Sequence, residues 1–380
     1  MIAAHFQSWH LHNQKVLVRA DLNVPIQNNQ ILSDFKLKAF EPTLHALLKQ
    51  QARVIIITHL TPELSTQLLL PWFNDQGYTI SFAPDIETAR TMDNHSLILL
   101  ENIRFFLGEK EQSADFARAL AQLGTYYIND AFGVLHRSDT SVTLLPALFQ
   151  SAHRSCGLLI EKELHMLTPI AQAPKHPYVG ILGGGKPETK LPLMMQLLST
   201  VDVMIVLPAL SNTYADAQRQ PVGQSLVCKE LQDACLKTLH RYRNKIMLPL
   251  DYQVASSTPS GALKNIRTSA MNEVHDQDII VSIGPKTIAR IQNSIAHANM
   301  ILLNGMPGFS AFEYTQEAAH ELLKIVTQST AQTLLCGTDS IALAEKYTLL
   351  SQFTYVSTGG GATLAYLAGN TLPGLIYLKK

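Results

Sequence analysis

Short, uninterrupted aliphatic runs alternate with helix-length amphipathic stretches roughly eleven times along this chain, and few architectures accept that rhythm. The runs predict strands at Lys15–Arg19, Val54–Thr58, Leu97–Leu100, Tyr126–Asn129, Val179–Leu182, Val203–Leu207, Lys245–Pro249, Ile279–Ser282, Met300–Asn304, Thr333–Cys336 and Phe353–Ser357. Apolar runs without polar alternation suit strands buried on both faces, as in a parallel sheet. Between them, Phe116–Leu123, Leu158–Leu167, Leu191–Leu198 and Ala318–Val326 carry apolar residues at helical spacing. The chain therefore predicts an α/β fold with doubly wound, Rossmann-like parallel sheets.

At 380 residues the chain exceeds one compact core, so two domains are expected. The proline-bearing stretch Ala171–Pro177 is the expected boundary, whereas Ser256–Gly261 reads as a surface loop. The resulting division is 1–170, 177–360 and a tail over 361–380. Lys+Arg 30 against Asp+Glu 30 leaves no net charge, which argues against nucleic acid or anionic lipid as a partner. No run is long enough to span a membrane, no signal peptide is legible, and 4 cysteines without CxxC spacing suit a reducing cytoplasm. A cytoplasmic monomer acting on small molecules is expected.

Ligands of open α/β sheets bind at the carboxyl ends of strands. In the second half, Gly183-Gly184-Gly185-Lys186 follows a strand and leads into a helix carrying Lys190. Glycines let backbone approach a phosphate, and the lysines supply charge; a tight turn with two solvated lysines is the plainer alternative. A second run, Gly359-Gly360-Gly361, also joins strand to helix. Cys336-Gly337-Thr338-Asp339-Ser340 places a carboxylate at a helix start, where it is either an N-cap or a ligand for Mg²⁺ held by phosphate oxygens. In the first half, Arg19-Ala20-Asp21-Leu22-Asn23, His59, Asn102 with Arg104, and Asn129-Asp130 with His136 and Arg137 follow four strands. Such a ring suits a small anion with phosphate and carboxylate groups. An anion pocket in one domain and a triphosphate pocket in the other imply phosphoryl transfer, with domains that close to exclude water. A dinucleotide-dependent dehydrogenase is disfavoured, because no GxGxxG opens the first βα unit.

The stretches VRADLNVPIQNNQI, YINDAFG, ILGGGKPETKL, SIGPKTI, NGMPG, GTDS and STGGGATL, in this order, make the chain resemble phosphoglycerate kinase over nearly its whole length. The resemblance implies a kinase that moves a phosphoryl group between 1,3-bisphosphoglycerate and ADP, giving 3-phosphoglycerate and ATP, with Mg²⁺. It also implies two lobes joined by a helix and an active-site cleft, with C-terminal residues returning to the first lobe. It assigns Asp21, Asn23, Lys36, His59, Arg104, His136 and Arg137 to the 3-phosphoglycerate site. The nucleotide side takes Gly184, Lys186, Lys190, Asn304, Gly337, Thr338, Asp339 and Ser340, with Asp339 on the metal and Gly360 facing the transferred phosphate. Lys36, Lys190 and Gly360 are the residues expected at the reaction.

Departures from the family pattern are specific. The family's N-Q-R-I arginine falls at Lys36, and the arginine of H-L-G-R-P is missing from His59-Leu60-Thr61-Pro62-Glu63. The G-G-G-M-A-[FY]-T-F stretch beside the adenine becomes Leu207–Tyr214, and the ribose-binding glutamate falls at Ala311, with Glu313 two positions on. An active, divergent kinase is the favoured reading; a non-catalytic or altered-specificity relative that binds phosphoglycerate is the alternative.

Overall fold

The structure, a computed structural model, describes residues 4–257, 263–308 and 312–378. The chain divides into two compact units, one of Met1–Thr168 with Asn370–Lys380 and one of Pro169–Gly369. The division falls inside the helix Leu158–Gln172, ahead of the proline-bearing stretch. The helix Gly361–Leu367 belongs to the second unit, so the segment 361–380 divides at Asn370. Gly374 fixes the returning end: its N–H donates to the Leu135 carbonyl at 3.0 Å. A Cβ there would lie 2.6 Å from a Leu135 methyl and 2.7 Å from a Val142 methyl, so a larger residue would force those side chains to shift.

The first unit is built on β1 (Lys15–Ala20), the hairpin β2 (Ile26–Gln27) and β3 (Gln30–Ile31), β4 (Arg53–Ile57), β5 (Ser81–Ala83), β6 (Leu97–Leu100), β7 (Tyr126–Asp130) and β8 (Arg154–Cys156). Its six-stranded sheet runs β5-β6-β4-β1-β7-β8, with every pairing parallel. Val16, Leu17, Val18, Val54, Ile56, Leu99, Tyr127 and Ile128 are all buried, which is why these strands read as continuous apolar runs. The four strands whose ends carry the polar ring are neighbours in that order, β6-β4-β1-β7.

The second unit contains β9 (Tyr178–Leu182), β10 (Val203–Val206), β11 (Ile246–Met247), β12 (Asp251–Ser257), β13 (Leu263–Ala270), β14 (Asp278–Ile283), β15 (Met300–Asn304), β16 (Gln332–Cys336) and β17 (Tyr355–Ser357). Its parallel sheet has the order β11-β10-β9-β15-β16-β17. Ile279–Ser282 is a strand as expected, yet it lies in a separate antiparallel sheet, β13-β12-β14. Its apolar run is the same whichever sheet receives it, so sequence does not assign the partner. β13 (LKNIRTSA) is half exposed and has no apolar run to mark it. Residues 256 and 257 of the expected surface loop extend β12, and 258–262 lie outside the described residues. Among the described residues no helix is long and apolar enough to cross a membrane.

Candidate active site

Each unit gathers chemistry at the carboxyl ends of its central strands. In the first, Asp21 immediately follows β1 and is buried, its Oδ2 accepting from Lys36 Nζ at 2.7 Å. Lys36 sits in the first turn of the helix Phe35–Lys49. A cation there faces the positive end of the helix dipole, so the ion pair with Asp21 offsets an unfavourable placement. Burial alone would raise the Asp21 carboxyl; the charge and hydrogen bond of Lys36, with the charge of Arg19 and the nearby His59, overcome it and hold the group at about 2. Asn23 donates its N–H to Asp21 Oδ1 at 3.3 Å and accepts from the Thr61 N–H at 2.9 Å.

His59 follows β4 and is almost fully enclosed. Burial, reinforced by the Arg19 guanidinium, keeps its imidazole pKa well below the ordinary value, so the ring is neutral at pH 7. Arg104 follows β6 and donates to Thr61 Oγ1 at 2.6 Å, while its buried Nε and second terminal nitrogen meet no acceptor. Burial and the neighbouring Arg137 lower its pKa, without removing the charge of a guanidinium. His136 has a buried Nδ1 without a partner, and its pKa is lowered by burial and then by Arg137. Cations therefore outnumber carboxylates in this basin, and guanidinium N–H groups wait for an anion; a buried donor without a partner is costly unless something supplies one.

Arg19 and Thr61 belong to this basin; Arg19 stood in the strand-end ring but not among the residues the resemblance assigned, and Thr61 was in neither. Arg19 also stood in the quoted motif; Thr61 falls on the glycine of the H-L-G-R-P pattern, one residue before Pro62 where the arginine is missing, and its hydroxyl now receives Arg104. Asn102 is structural: its amide donates to the Leu60 and Leu64 carbonyls at 3.0 and 2.8 Å, holding the loop after β4.

In the second unit the adjacent strands β9, β15, β16 and β17 end in Gly183–Gly185, Asn304–Gly305, Cys336–Gly337 and Ser357–Gly361. Lys190 lies in the helix Pro187–Leu197 and reaches back to the Gly183 carbonyl, Nζ to O 2.6 Å. Burial lowers its pKa, opposed by the nearby Cys336 and Asp339. Glycine keeps the space around that ammonium open. At Gly305 (φ +88°) a Cβ would lie 2.1 Å from the Gly183 oxygen and 3.0 Å from Lys190 Nζ; at Gly184 (φ +100°) it would lie 2.9 Å from Nζ. Ser340 Oγ accepts from the Gly305 N–H at 2.9 Å, and Asn304 is buried against Cys336. Gly337 and Gly360 approach closely enough that a Cβ on Gly360 would touch the Gly337 Cα at 3.8 Å. Lys186 is exposed at the helix start.

The cap alternative for Asp339 is corrected. Gly337 occupies the N-cap of the helix Thr338–Lys346, and no side chain caps it, because Asp339 lies two residues inside with its carboxylate exposed. Glu313 is taken by Lys346 at 2.5 Å, whose ammonium holds its carboxyl below the usual range. Ala311 lies outside the described residues. The stretch Leu207–Tyr214 turns into the helix Leu210–Ala217, with Ser211, Asn212, Thr213 and Tyr214 buried.

With that geometry in view, the comparisons with known proteins decide the lineage. The family model for phosphoglycerate kinase matches residues 6–370. The chain belongs to the phosphoglycerate kinase family. The phosphoglycerate kinase of Borrelia hermsii is 33% identical over 97% of this chain and 97% of its own. That of Bdellovibrio bacteriovorus is 32% identical over 98% of this chain and 96% of its own. Among solved structures, phosphoglycerate kinase from Coxiella burnetii superposes with a TM-score of 0.74 at 30% identity, covering 98% of this chain and 97% of that one. The Pyrococcus horikoshii enzyme gives a TM-score of 0.85 at 25% identity, covering 99% and 98%. Both parallel sheets are thus those of the family, and the family's members are kinases.

Proposed function

We propose that the protein is a phosphoglycerate kinase that transfers a phosphoryl group reversibly between 1,3-bisphosphoglycerate and ADP, giving 3-phosphoglycerate and ATP. The observation that carries the reading is Arg104, whose half-buried guanidinium keeps two buried nitrogens unmatched in a basin already rich in cations. A ligand bearing phosphate and carboxylate groups would satisfy them bidentately. Asp21, Asn23, Lys36, His59, Arg104, His136 and Arg137 are read as the acid site. Gly184, Lys186, Lys190, Asn304, Gly337, Thr338, Asp339, Ser340 and Gly360 are read as the nucleotide and phosphate site.

The chemistry asks little of a general base. The 3-phosphoglycerate carboxylate is already ionised at pH 7 and attacks the terminal phosphorus of ATP; a carboxyl–phosphate bond forms, the β–γ phosphoanhydride bond breaks, and ADP leaves. The protein must position the two reactants and neutralise charge on the phosphoryl oxygens. Lys190, held against the Gly183 carbonyl, supplies a fixed cation there, Lys186 a mobile one, and Lys36 a third on the acid side.

Mg²⁺ fits the donor set in one way. Among the described residues no group of three or more His, Cys, Asp or Glu can hold a metal, and Asp339 offers one exposed carboxylate. That suits an ion arriving on nucleotide phosphates, to which it would lend charge neutralisation. A monomeric cytoplasmic enzyme is part of the same reading.

A coupled assay with 3-phosphoglycerate and a panel of nucleoside triphosphates tests it. Turnover that needs both substrates and Mg²⁺ is expected; phosphoglycerate binding without turnover would leave only a binding protein.

A further inference from the structure

Behind the acid basin runs a chain of buried polar groups that the reaction itself does not use. Glu109 is fully buried and has no direct ion pair among the described residues, although the charge of Arg19 reaches it; its Oε2 accepts from the Ser141 N–H at 2.9 Å and its Oε1 from the Ser141 hydroxyl at 2.6 Å. Ser141 Oγ, having donated its proton to Glu109, accepts from Arg19 Nε at 2.9 Å. Arg19, also fully buried, spends a second nitrogen on the Ala20 carbonyl at 2.5 Å. Its remaining terminal nitrogen stands 3.3 Å from His59 Nδ1.

A guanidinium has donors only, so the direction of this last bond is fixed: Arg19 donates and His59 Nδ1 accepts. A neutral ring whose Nδ1 accepts carries its proton on Nε2. We propose that Glu109, Ser141 and Arg19 form a relay that locks His59 in the Nε2–H form, so that it presents a hydrogen-bond donor to the acid substrate. The inference rests on the kinase reading for the identity of that substrate. Glu109, Ser141 and Arg19 are positioning residues in it, since each acts on the ligand only through His59.

Each link has a reason to be rigid. Glu109 has its backbone carbonyl bound by the Thr140 N–H at 2.8 Å, and the Thr140 hydroxyl donates to the Gly108 carbonyl at 2.6 Å. The turn 108–109 and the start of the helix Thr140–Ala147 are therefore tied together. Tyr127, from β7, donates its hydroxyl to the Ser141 carbonyl at 2.8 Å. Arg19 cannot swing out to a ligand without abandoning three bonds in the core. Its charge repels a proton from His59, as Lys36 and Arg104 do from the other sides, with Asp21 opposing them and burial the largest influence. A neutral donor suits an anion in a basin already crowded with cations, because it adds a bond without adding repulsion.

The test reads the ring directly. In uniformly 15N-labelled protein, long-range proton–nitrogen correlation should give His59 an unprotonated Nδ1 and a protonated Nε2 from pH 5.5 to 8, before any substrate is added. Ser141→Ala removes the link between Glu109 and Arg19. His59 is then expected to populate both tautomers and to titrate closer to its ordinary range. The KM for 3-phosphoglycerate should rise about tenfold, the worth of one ~1.4 kcal/mol contact, while kcat changes by less than about threefold. Ser141→Thr, which keeps the hydroxyl, should restore the ring signals. A parent protein with the proton on Nδ1 overturns the relay whether or not any variant folds, and so does a Ser141→Ala protein whose tautomer, titration and KM all match the parent. If the tautomer is as expected but 3-phosphoglycerate leaves the Nε2–H resonance unmoved, the relay stands and the substrate assignment falls.

Discussion

Asp21 and Asp130 sit at the ends of neighbouring strands, with Asp130 directly opposite Ala20 in the β1–β7 register, and both are buried. They are held in opposite states. Asp21 has Lys36 at 2.7 Å and more cations around it, and its carboxyl lies at about 2. Asp130 has no such neighbour. Burial pushes it up to about 7, resisted only by the Thr43 hydroxyl and by the N–H groups of Ile160 and Leu159, with Glu163 adding repulsion. Gly157 lets the chain pass there, since a Cβ would lie 2.2 Å from the Asp130 carboxyl carbon. The same residue type thus serves as a permanent counter-ion in the basin and as a near-neutral anchor at the start of the helix Leu158–Gln172. A buried carboxylate takes its state from the cations within reach, and depth alone does not set it.

The sharpest way to break this comparison is through pH. The folded protein holds the Asp130 proton up to about pH 7, whereas an unfolded chain releases it near 3.8. The folded state binds more protons across that window, so stability falls as pH rises from about 4 to 7 and levels off above. At ~1.4 kcal/mol for each unit, the whole swing is on the order of 4 kcal/mol. Asp130→Asn, which cannot ionise, is expected to flatten the slope when denaturation midpoints are compared at pH 4.5 and 8. Asp21→Asn, by contrast, should leave the slope over that window unaltered, because Asp21 is ionised throughout. Parallel curves for the parent and Asp130→Asn would mean that Asp130 is ionised like Asp21.

Lys190 extends the comparison to the second unit, as a partly buried cation facing a carbonyl instead of a carboxylate. Without a partner charge its full attraction remains for phosphate oxygens. Lys190→Ala should lower kcat by ~10²–10³, the ~3–4 kcal/mol of one preorganised charge contact, with a smaller change in the KM for 3-phosphoglycerate. An unchanged kcat would remove Lys190 from the reaction. Gly305→Ala tests the space around it. A methyl 2.1 Å from a backbone oxygen, at φ +88°, is expected to cost roughly 2 kcal/mol or more in stability and to weaken nucleotide binding, read by thermal midpoint and by nucleotide titration. A variant as stable and as tight as the parent would show that the turn can relax.

What was legible in advance follows from the same physics. Glycine clusters at Gly183–Gly185 and Gly359–Gly361 announce themselves, because only a backbone constraint favours so many residues without side chains. The parallel strands were legible because burial on both faces leaves uniform apolar runs. β13 was not, since its half-exposed pattern is shared with loops, nor was β12, a largely buried strand whose apolar residues are interrupted by Asp, Gln and Ser; β14 was found but given to the wrong sheet. Asp21 and Asp130 were both visible as residues after strands, but which cation lies within 3 Å is a tertiary fact. Glu109 ends a stretch that resembles the family, but nothing local pairs it with Ser141: they are 32 residues apart and meet only once the fold is made.

The smallest expected effect concerns Lys36 itself, where the family pattern has arginine. Its single nitrogen is committed to Asp21 Oδ2, at one end of a flexible stem that is only 11% exposed. A guanidinium could keep that bond with one nitrogen and offer the others to the substrate as a planar fork, which an ammonium cannot do. Lys36→Arg is therefore expected to raise kcat, by up to ~10-fold if one hydrogen bond worth ~1.4 kcal/mol is recovered. Asp21 stays paired in the variant, so stability at pH 7 should shift by less than about 1 kcal/mol, in contrast to Lys36→Ala, which strands a buried carboxylate. Steady-state kinetics in both reaction directions, beside a denaturation curve, separate the contributions. A lower kcat with stability intact would show that the pocket has closed around the shorter head group, and that the ion pair with Asp21, more than reach to the substrate, governs the choice of lysine.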